Sequence, residues 1–162
     1  MNQILEKQQD RDNEHSICLE IKKYLSNNIK ITPSLPYHYI IDRALLLNDI
    51  VKAWVEIKCI NYDLVTLPVY YISLHKIKVG IDWSEMTNTP FFIIVKFKDG
   101  IKYTEINKKC LDEYSITWGG WKNPRRGNDK ELLLNIPVDR LYRLDMLKER
   151  IRLLKNENRK TI

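Results

Sequence analysis

The sequence lacks several features that would place it in other classes of protein. It has no apolar run approaching the roughly 18 residues of a membrane span, so we expect no membrane partner. Its three cysteines include no Cys-x-x-Cys pair, and their odd number argues against a disulfide framework. The three histidines are scattered along the chain, so no zinc site is predicted. We also expect no small-molecule cofactor.

The chain also lacks the marks of a targeting or multi-domain sequence. Its N-terminus is polar and mixed in charge, unlike a signal peptide, which predicts a cytoplasmic location. No linker, repeat or low-complexity tract divides it. We therefore predict a flexible N-terminus (1–12), a domain at 13–138, and a C-terminal helix with a basic tail (139–162) belonging to the same domain.

The charge of the chain points to the kind of partner it binds. With 162 residues, 44% of them hydrophobic, it is long enough to bury a full core. The net charge of +6 and a pI near 9.1 favour a polyanionic partner such as DNA.

Residues 40–58 carry the strongest local pattern, which predicts a β-hairpin. Two apolar runs of strand length flank a turn at Asn48-Asp49, and both turn residues favour tight turns. Side chains two residues apart on a strand share a face and lie roughly 7 Å apart. Glu56 and Lys58 on the second strand therefore point the same way.

The register of this hairpin decides whether a second carboxylate joins them. A three-residue loop, 48–50, would pair Leu47 with Val51 and place Asp42 opposite Glu56 on the same face. A two-residue loop would place Asp42 opposite Val55 and send the carboxylates to opposite faces, because a slip of one residue flips every side chain.

Two carboxylates and a lysine on one face suit metal-assisted phosphodiester hydrolysis. Paired carboxylates repel each other unless a cation lies between them, and their hard oxygen atoms suit Mg²⁺ or Mn²⁺. A nearby lysine can then hold or polarise the attacking water. The alternative is a solvated strand face on which Glu56 and Lys58 form ordinary ion pairs.

These residues resemble a known family. Asp42, followed fourteen positions later by Glu56-Ile57-Lys58 at the end of a strand, is similar to the motif of the PD-(D/E)XK nuclease superfamily, which includes restriction endonucleases, Holliday-junction resolvases and small phage nucleases. Ile41 stands where the motif has proline. The resemblance implies that Asp42, Glu56 and the Ile57 carbonyl bind metal and that Lys58 assists the nucleophile.

The resemblance extends to the first helix, which helical spacing predicts over 13–28. Related nucleases place a helix glutamate before the hairpin, followed by apolar residues at +3, +4 and +7. Glu14 matches this spacing, which implies that it is an auxiliary metal ligand, with Glu20 as the fallback. Alternatively, Glu14 merely opens the helix, where a negative charge is favoured.

The segments after the hairpin predict the remaining core and the DNA contacts. We expect a loop at 29–38, a helix at 74–86, a strand at 90–97 and a partner strand after the Asp99-Gly100 turn. The third strand of the core is either centred on Val95 or displaced by one element. Lys76 is a candidate phosphate contact or an ordinary exposed lysine.

Residues 117–130 combine tryptophans, glycines and basic residues, so they predict either a DNA-binding loop or a surface loop packed by its tryptophans. The candidate phosphate contacts in this loop are Lys122, Arg125, Arg126 and Lys130. A strand at 132–136 follows. The amphipathic helix at 139–158 packs on the domain or on a second copy of the chain, which would make a homodimer.

Together these observations predict an α/β (α+β) fold with a restriction-endonuclease-like αβββαβ core, a mixed central sheet flanked by helices, and a C-terminal amphipathic helix. The function predicted is a Mg²⁺- or Mn²⁺-dependent DNA nuclease, encoded by a phage or mobile element. The alternatives are a non-catalytic nucleic-acid-binding domain and a structural or inhibitory protein-interaction domain.

Overall fold

Four α-helices and nine β-strands form within residues 8–25, 27–120 and 130–157, which the computed structural model describes. In chain order they are α1 (Gln8–Tyr24), β1 (Ile29–Ile31), β2 (Arg43–Leu47), β3 (Ile50–Cys59), β4 (Val69–Ser73), α2 (Leu74–Thr87), β5 (Phe91–Phe97), β6 (Gly100–Ile106), α3 (Lys108–Glu113), β7 (Ile116–Gly119), β8 (Glu131–Pro137), β9 (Tyr142–Arg143) and α4 (Leu147–Glu157).

A six-stranded mixed sheet with the order β1-β2-β3-β5-β6-β9 forms the centre of the molecule. Its strands β3 and β5 run parallel, and its other neighbouring pairs are antiparallel. Parallel neighbours need a crossover connection, which β4 and α2 supply here. A smaller antiparallel sheet has the order β4-β8-β7.

The central sheet buries both of its faces, because helices or the second sheet cover each side. Along β5, Phe92 and Ile94 pack with α1 and α4, whereas Ile93 and Val95 pack with α2 and the smaller sheet. Successive side chains of a strand point to opposite faces, so a continuous apolar run is what a strand buried on both faces requires. The predicted strand at 90–97 is confirmed as β5 (Phe91–Phe97), but it follows α2, so the third strand of the core is not the one that contains Val95.

The predicted mixed α+β architecture is confirmed, but several boundaries were wrong. Helix α1 begins at Gln8 rather than Asn13. Its first turns are polar and carry no apolar stripe, so helical spacing did not predict them. The expected loop at 29–38 contains β1, which pairs with β2. The predicted loop at 117–130 begins with β7, which pairs with β8.

The C-terminal helix begins later than predicted, at Leu147 instead of Asp139. Residues 138–146 instead form two 3-10 turns and strand β9, which pairs with the edge of β6. The apolar face of α4, formed by Leu147, Ile151 and Leu154, is buried against the central sheet of the same chain. Within the described ranges, no helix is both long and apolar enough to cross a membrane.

Helix α2 lies unusually close to the central sheet at Gly80. A Cβ atom added to Gly80 would overlap the aromatic ring of Phe91, which is itself buried. Gly80 follows Lys76 by four residues, so both lie on the same face of the helix. This close approach therefore sets how far Lys76 stands from the sheet.

We predict that Gly80→Ala destabilises the protein. Overpacking of a core costs roughly 1–3 kcal/mol, whereas alanine gains at most about 1 kcal/mol of helix propensity over glycine. Denaturant unfolding followed by circular dichroism measures the net loss. The matched control is Lys78→Ala on the exposed side of α2, expected within about 0.5 kcal/mol of the wild type. An equal or higher stability of Gly80→Ala would contradict the tight contact.

Candidate active site

Glu56 is a charged residue buried in the middle of the sheet. It lies on β3, whose residues Val55 and Ile57 point toward α1 while Trp54 and Glu56 point toward α2. Only 1% of the Glu56 side chain is exposed. A carboxylate in such a position needs compensating charge or hydrogen bonds, because its removal from water is costly.

Asp42 reaches Glu56 through an irregularity in the hairpin. The turn consists of two residues, Asn48 and Asp49, both with positive φ (53° and 62°), as in type I′ hairpin turns. Of the two loop lengths considered, the two-residue loop is the one present. However, the register shifts between Leu45 and Leu46, so that Lys52 is an extra residue in β3.

This bulge shifts the pairing by one residue in the part of the hairpin farther from the turn. Arg43 pairs with Val55, so the next position along brings Asp42 opposite Glu56, as the three-residue loop would have done. Asp42 Oδ2 accepts a hydrogen bond of 2.8 Å from the Ile57 amide. The predicted juxtaposition of the two carboxylates is present, although the bulge produces it instead of the loop.

Lys58 contacts Glu56 from the same strand. Its Nζ atom lies 2.6 Å from Glu56 Oε1. Burial alone would lower the pKa of Lys58, but the charges of Glu56 and Asp42 outweigh this effect and raise the pKa above that of an ordinary lysine. Lys58 is therefore an ammonium group at neutral pH. More than a third of its side chain remains exposed, so it can also contact a substrate.

Lys76 reaches the same carboxylates from the first turn of α2. Its Nζ atom lies 3.1 Å from Glu56 Oε1 and 3.7 Å from Asp42 Oδ1, and it donates a hydrogen bond of 3.0 Å to the Ile40 carbonyl. The structure thus places Lys76 among the acidic residues of the site. Its predicted contact with phosphate remains a prediction.

The pKa of Glu56 is raised by this environment. Burial is the largest cause, and the charge of Asp42 raises the pKa further, while Lys58 and Lys76 act in the opposite direction and lower it. A raised carboxyl pKa beside a second carboxylate is what a site prepared for a further cation would show.

The two glutamates predicted on the first helix are engaged elsewhere. Glu14 Oε1 lies 2.6 Å from Arg43 Nε, and Ser34 Oγ lies within 3.5 Å of the same oxygen. Glu20 forms an ion pair of 2.6 Å with Lys96. Among the described residues, no three His, Cys, Asp or Glu side chains are close enough together to hold a metal ion. The structure therefore does not bring Glu14 together with Asp42 and Glu56.

The remaining oxygen atoms nevertheless suit a divalent cation. Glu56 Oε1 is buried, and the groups next to it are the ammonium groups of Lys58 and Lys76, at 2.6 Å and 3.1 Å. The Ile57 carbonyl faces the same side of β3 as its amide, which is the side where Asp42 lies. Two carboxylates and one carbonyl form an all-oxygen donor set, as Mg²⁺ and Mn²⁺ prefer.

Sequence reasoning missed two residues that belong to the surroundings of the site. Tyr70 on β4 is buried, and its pKa is raised by burial, with Lys58 lowering it and Glu56 and Asp42 raising it. Its hydroxyl is thus electrostatically coupled to the site. Arg43, also buried, links Glu14 to the strand that follows Asp42. Neither carries a sequence signal beyond its position in an apolar strand.

The structure describes only part of the predicted DNA-binding loop. Lys130 is exposed and immediately precedes β8. The predicted contacts Lys122, Arg125 and Arg126 lie outside the described residues. Nothing in the structure tests their role.

Solved structures that share this fold include a resolvase and a viral nuclease. The Holliday junction resolvase Hjc of the archaeal hyperthermophile Archaeoglobus fulgidus superposes with a TM-score of 0.57 and 8% identity, over 87% of this chain and 96% of the resolvase. D212, a nuclease from a fusselovirus, gives a TM-score of 0.59 and 11% identity, over 98% of this chain and all of D212. Both are restriction-endonuclease-like, so the predicted fold family is confirmed.

The family comparison covers most of the sequence. A search of curated proteins gives no match. By contrast, the sequence model of the phage PDDEXK endonucleases matches residues 1–144 of the 162. The chain therefore belongs to the phage PDDEXK endonuclease family and is a hydrolytic nuclease with a restriction-endonuclease-like fold.

Proposed function

We propose that this endonuclease cleaves DNA with Mg²⁺ or Mn²⁺ and that Asp42, Glu56 and Lys58 are its catalytic residues. The observation that carries the proposal is that the carboxylates of Asp42 and Glu56 lie close together. Both contact the ammonium group of Lys76, whose Nζ atom is 3.1 Å from Glu56 and 3.7 Å from Asp42. The sequence spacing and the family membership support the same assignment.

Asp42, Glu56 and the Ile57 carbonyl would hold the metal ion. When bound, such an ion acts as a Lewis acid toward the phosphate and the attacking water. Glu14 matches the spacing of an auxiliary ligand, but its carboxylate contacts Arg43 at 2.6 Å. We assign it the role of holding Arg43 and, through it, the start of β2 next to Asp42.

Lys58 would act as a hydrogen-bond donor rather than a base. Its Nζ atom lies 2.6 Å from Glu56 Oε1, and an ammonium group offers three hydrogen-bond donors and no lone pair with which to accept a proton from water. It can orient the attacking water and stabilise the negative charge that develops on the phosphate oxygens. Its partly exposed side chain leaves room for both contacts.

DNA binding would depend on the positive charge of the chain. The net charge of +6 favours the phosphate backbone, and we place contacts at Lys122, Arg125, Arg126 and Lys130, with Lys76 as a further candidate. The likeness to a Holliday junction resolvase makes branched DNA one of the substrates to test, beside linear, nicked and single-stranded DNA.

Glu56→Gln is expected to reduce metal-dependent cleavage by at least about 100-fold, the scale on which loss of one charge-stabilising group slows an enzyme. The substitution keeps the shape of the side chain but removes its charge. The measurement is cleavage of the four DNA forms with Mg²⁺, Mn²⁺ or EDTA.

The matched control for this experiment is Glu85→Gln, which removes the same charge from the exposed side of α2. We expect it to cleave like the wild type. If Glu56→Gln cuts DNA as fast as this control, Glu56 is not part of the catalytic site.

Lys58→Met is expected to slow single-turnover cleavage by about 100-fold or more while leaving DNA affinity nearly unchanged, because Lys58 acts on the reacting groups. Lys58→Arg should recover part of the rate, since it retains charge but not the compact shape of an ammonium. Lys98→Met, in the exposed turn after β5, is the control. A large loss of DNA affinity with an unchanged single-turnover rate would instead make Lys58 a binding residue.

The basic segment can be tested through the salt dependence of DNA binding. Each phosphate contact contributes about 0.9 to the slope of log affinity against log salt, so Arg125→Ala with Arg126→Ala should flatten the slope by about 1.8. Lys108→Ala with Lys109→Ala removes the same charge from the exposed surface of α3. If the two double variants give equal slopes of log affinity against log salt, this segment does not contact the DNA phosphates.

A further inference from the structure

The ammonium group of Lys76 is surrounded by oxygen atoms from three residues. It lies 3.1 Å and 3.3 Å from the two carboxylate oxygens of Glu56, 3.7 Å from Asp42 Oδ1 and 3.0 Å from the Ile40 carbonyl. Only Glu56 and Asp42 carry negative charge among these partners. Lys76 thus contacts both carboxylates that the proposed metal ion would need.

The backbone around Lys76 is arranged for this contact. Ile40 has a φ of 64°, in the left-handed region that a β-branched residue rarely adopts. Such strain persists only where the surrounding structure enforces it, and here the strained residue presents its carbonyl to Lys76. Four residues further along α2, Gly80 permits the close approach of the helix to the sheet. The Ile40 carbonyl therefore holds the ammonium group of Lys76, and the close approach at Gly80 sets the position of its backbone.

We propose that Lys76 is the resident counter-cation of the Asp42 and Glu56 carboxylates and competes with the divalent metal ion for them. This inference rests on the proposed function, because it takes Asp42 and Glu56 to be the metal ligands. Lys58 differs from Lys76 in that, among the described residues, it forms an ion pair with Glu56 and not with Asp42. Lys76 is accordingly a positioning residue that keeps the two carboxylates together.

The competition follows from charge and contact. An ammonium group within 4 Å of both carboxylates repels a second cation bound to them. The ammonium group and the metal ion also compete for the same carboxylate oxygen atoms. Metal binding must therefore move Lys76 away from the carboxylates. By linkage, removing the charge of Lys76 raises the affinity for the metal ion and lowers the stability of the metal-free protein.

The test is the affinity of the full chain for Mn²⁺ and Mg²⁺ without DNA, measured by isothermal titration calorimetry. Lys76→Met should bind Mn²⁺ at least about tenfold more tightly than the wild type, a difference of about 1.4 kcal/mol. Its Tm in metal-free buffer should fall, and metal should raise that Tm by more than in the wild type. Lys78→Met removes the same charge from the exposed side of the helix and should change the affinity less than about twofold.

Equal or weaker Mn²⁺ binding by Lys76→Met overturns the proposal. So does an equal gain in Lys78→Met, which would show a general effect of charge. If Lys76→Met fails to fold, Lys76→Gln, which keeps hydrogen-bond donors for Glu56, replaces it with the same expected direction. These outcomes are independent of the proposed function, since a wild-type protein that cuts DNA with Mg²⁺ would retain that function whichever way the affinities fall.

The wild-type protein allows a second test. Acetylation of Lys76 by acetic anhydride, followed by mass spectrometry, reports how accessible its ammonium group is. Saturating Mg²⁺ should increase the acetylation of Lys76 severalfold relative to Lys78, because the released side chain enters solvent. A decrease or no change would contradict displacement. Absence of any Mn²⁺ or Mg²⁺ binding to the wild type would overturn both this proposal and the metal-ligand assignment.

Discussion

The burial of Glu56 is the constraint on which the rest of the structure depends. A carboxylate with 1% of its side chain exposed would cost several kcal/mol if it were left without compensating charge. Lys58 supplies compensation from the same strand, two residues away. Lys76 supplies it from α2, which must then be held close to the sheet. The crossover from β3 to β5 therefore does more than connect two parallel strands, because it carries the second lysine to the carboxylate.

The position of Asp42 depends on backbone geometry rather than on packing. The two-residue turn alone would direct Asp42 away from Glu56, since register determines the face on which every side chain lies. The extra residue at Lys52 reverses that outcome for the half of the hairpin nearest the site. The Ile57 amide then fixes the carboxylate of Asp42 by a hydrogen bond of 2.8 Å. The bulge beside the proposed site thus determines the face of the hairpin on which Asp42 lies.

The sequence allowed prediction of those parts whose signal is periodic. The hairpin, helix α2 and strand β5 follow from apolar spacing, and the common face of Glu56 and Lys58 follows from strand geometry. The bulge could not be predicted, because Lys52 is compatible with a regular strand. In the smaller sheet, β4 pairs with β8 from a distant part of the sequence, which local propensity does not specify.

The side-chain partners of the site were equally inaccessible from sequence. The spacing on α1 placed Glu14 on the buried stripe, but its contact with Arg43 depends on how α1 packs beside β2. The positive φ of Ile40 is unexpected for a β-branched residue, so no residue type announced that its carbonyl would face Lys76. The buried carboxylate of Glu56 requires a cation beside it, and only the folded structure shows that Lys58 and Lys76 are the cations present.

The balance of charge within the proposed site would connect metal binding with DNA binding. Asp42 and Glu56 carry two negative charges, and Lys58 and Lys76 carry two positive charges, so the cluster is formally neutral. A neutral cluster exerts little attraction on a phosphate, and the positive charge elsewhere on the chain would have to supply the attraction over a distance. With a divalent ion on the same carboxylates and Lys76 displaced from them, the two carboxylates, Lys58 and the ion would carry a formal charge of +1. The site would then attract phosphate, so metal and DNA would each strengthen the binding of the other, as linkage requires.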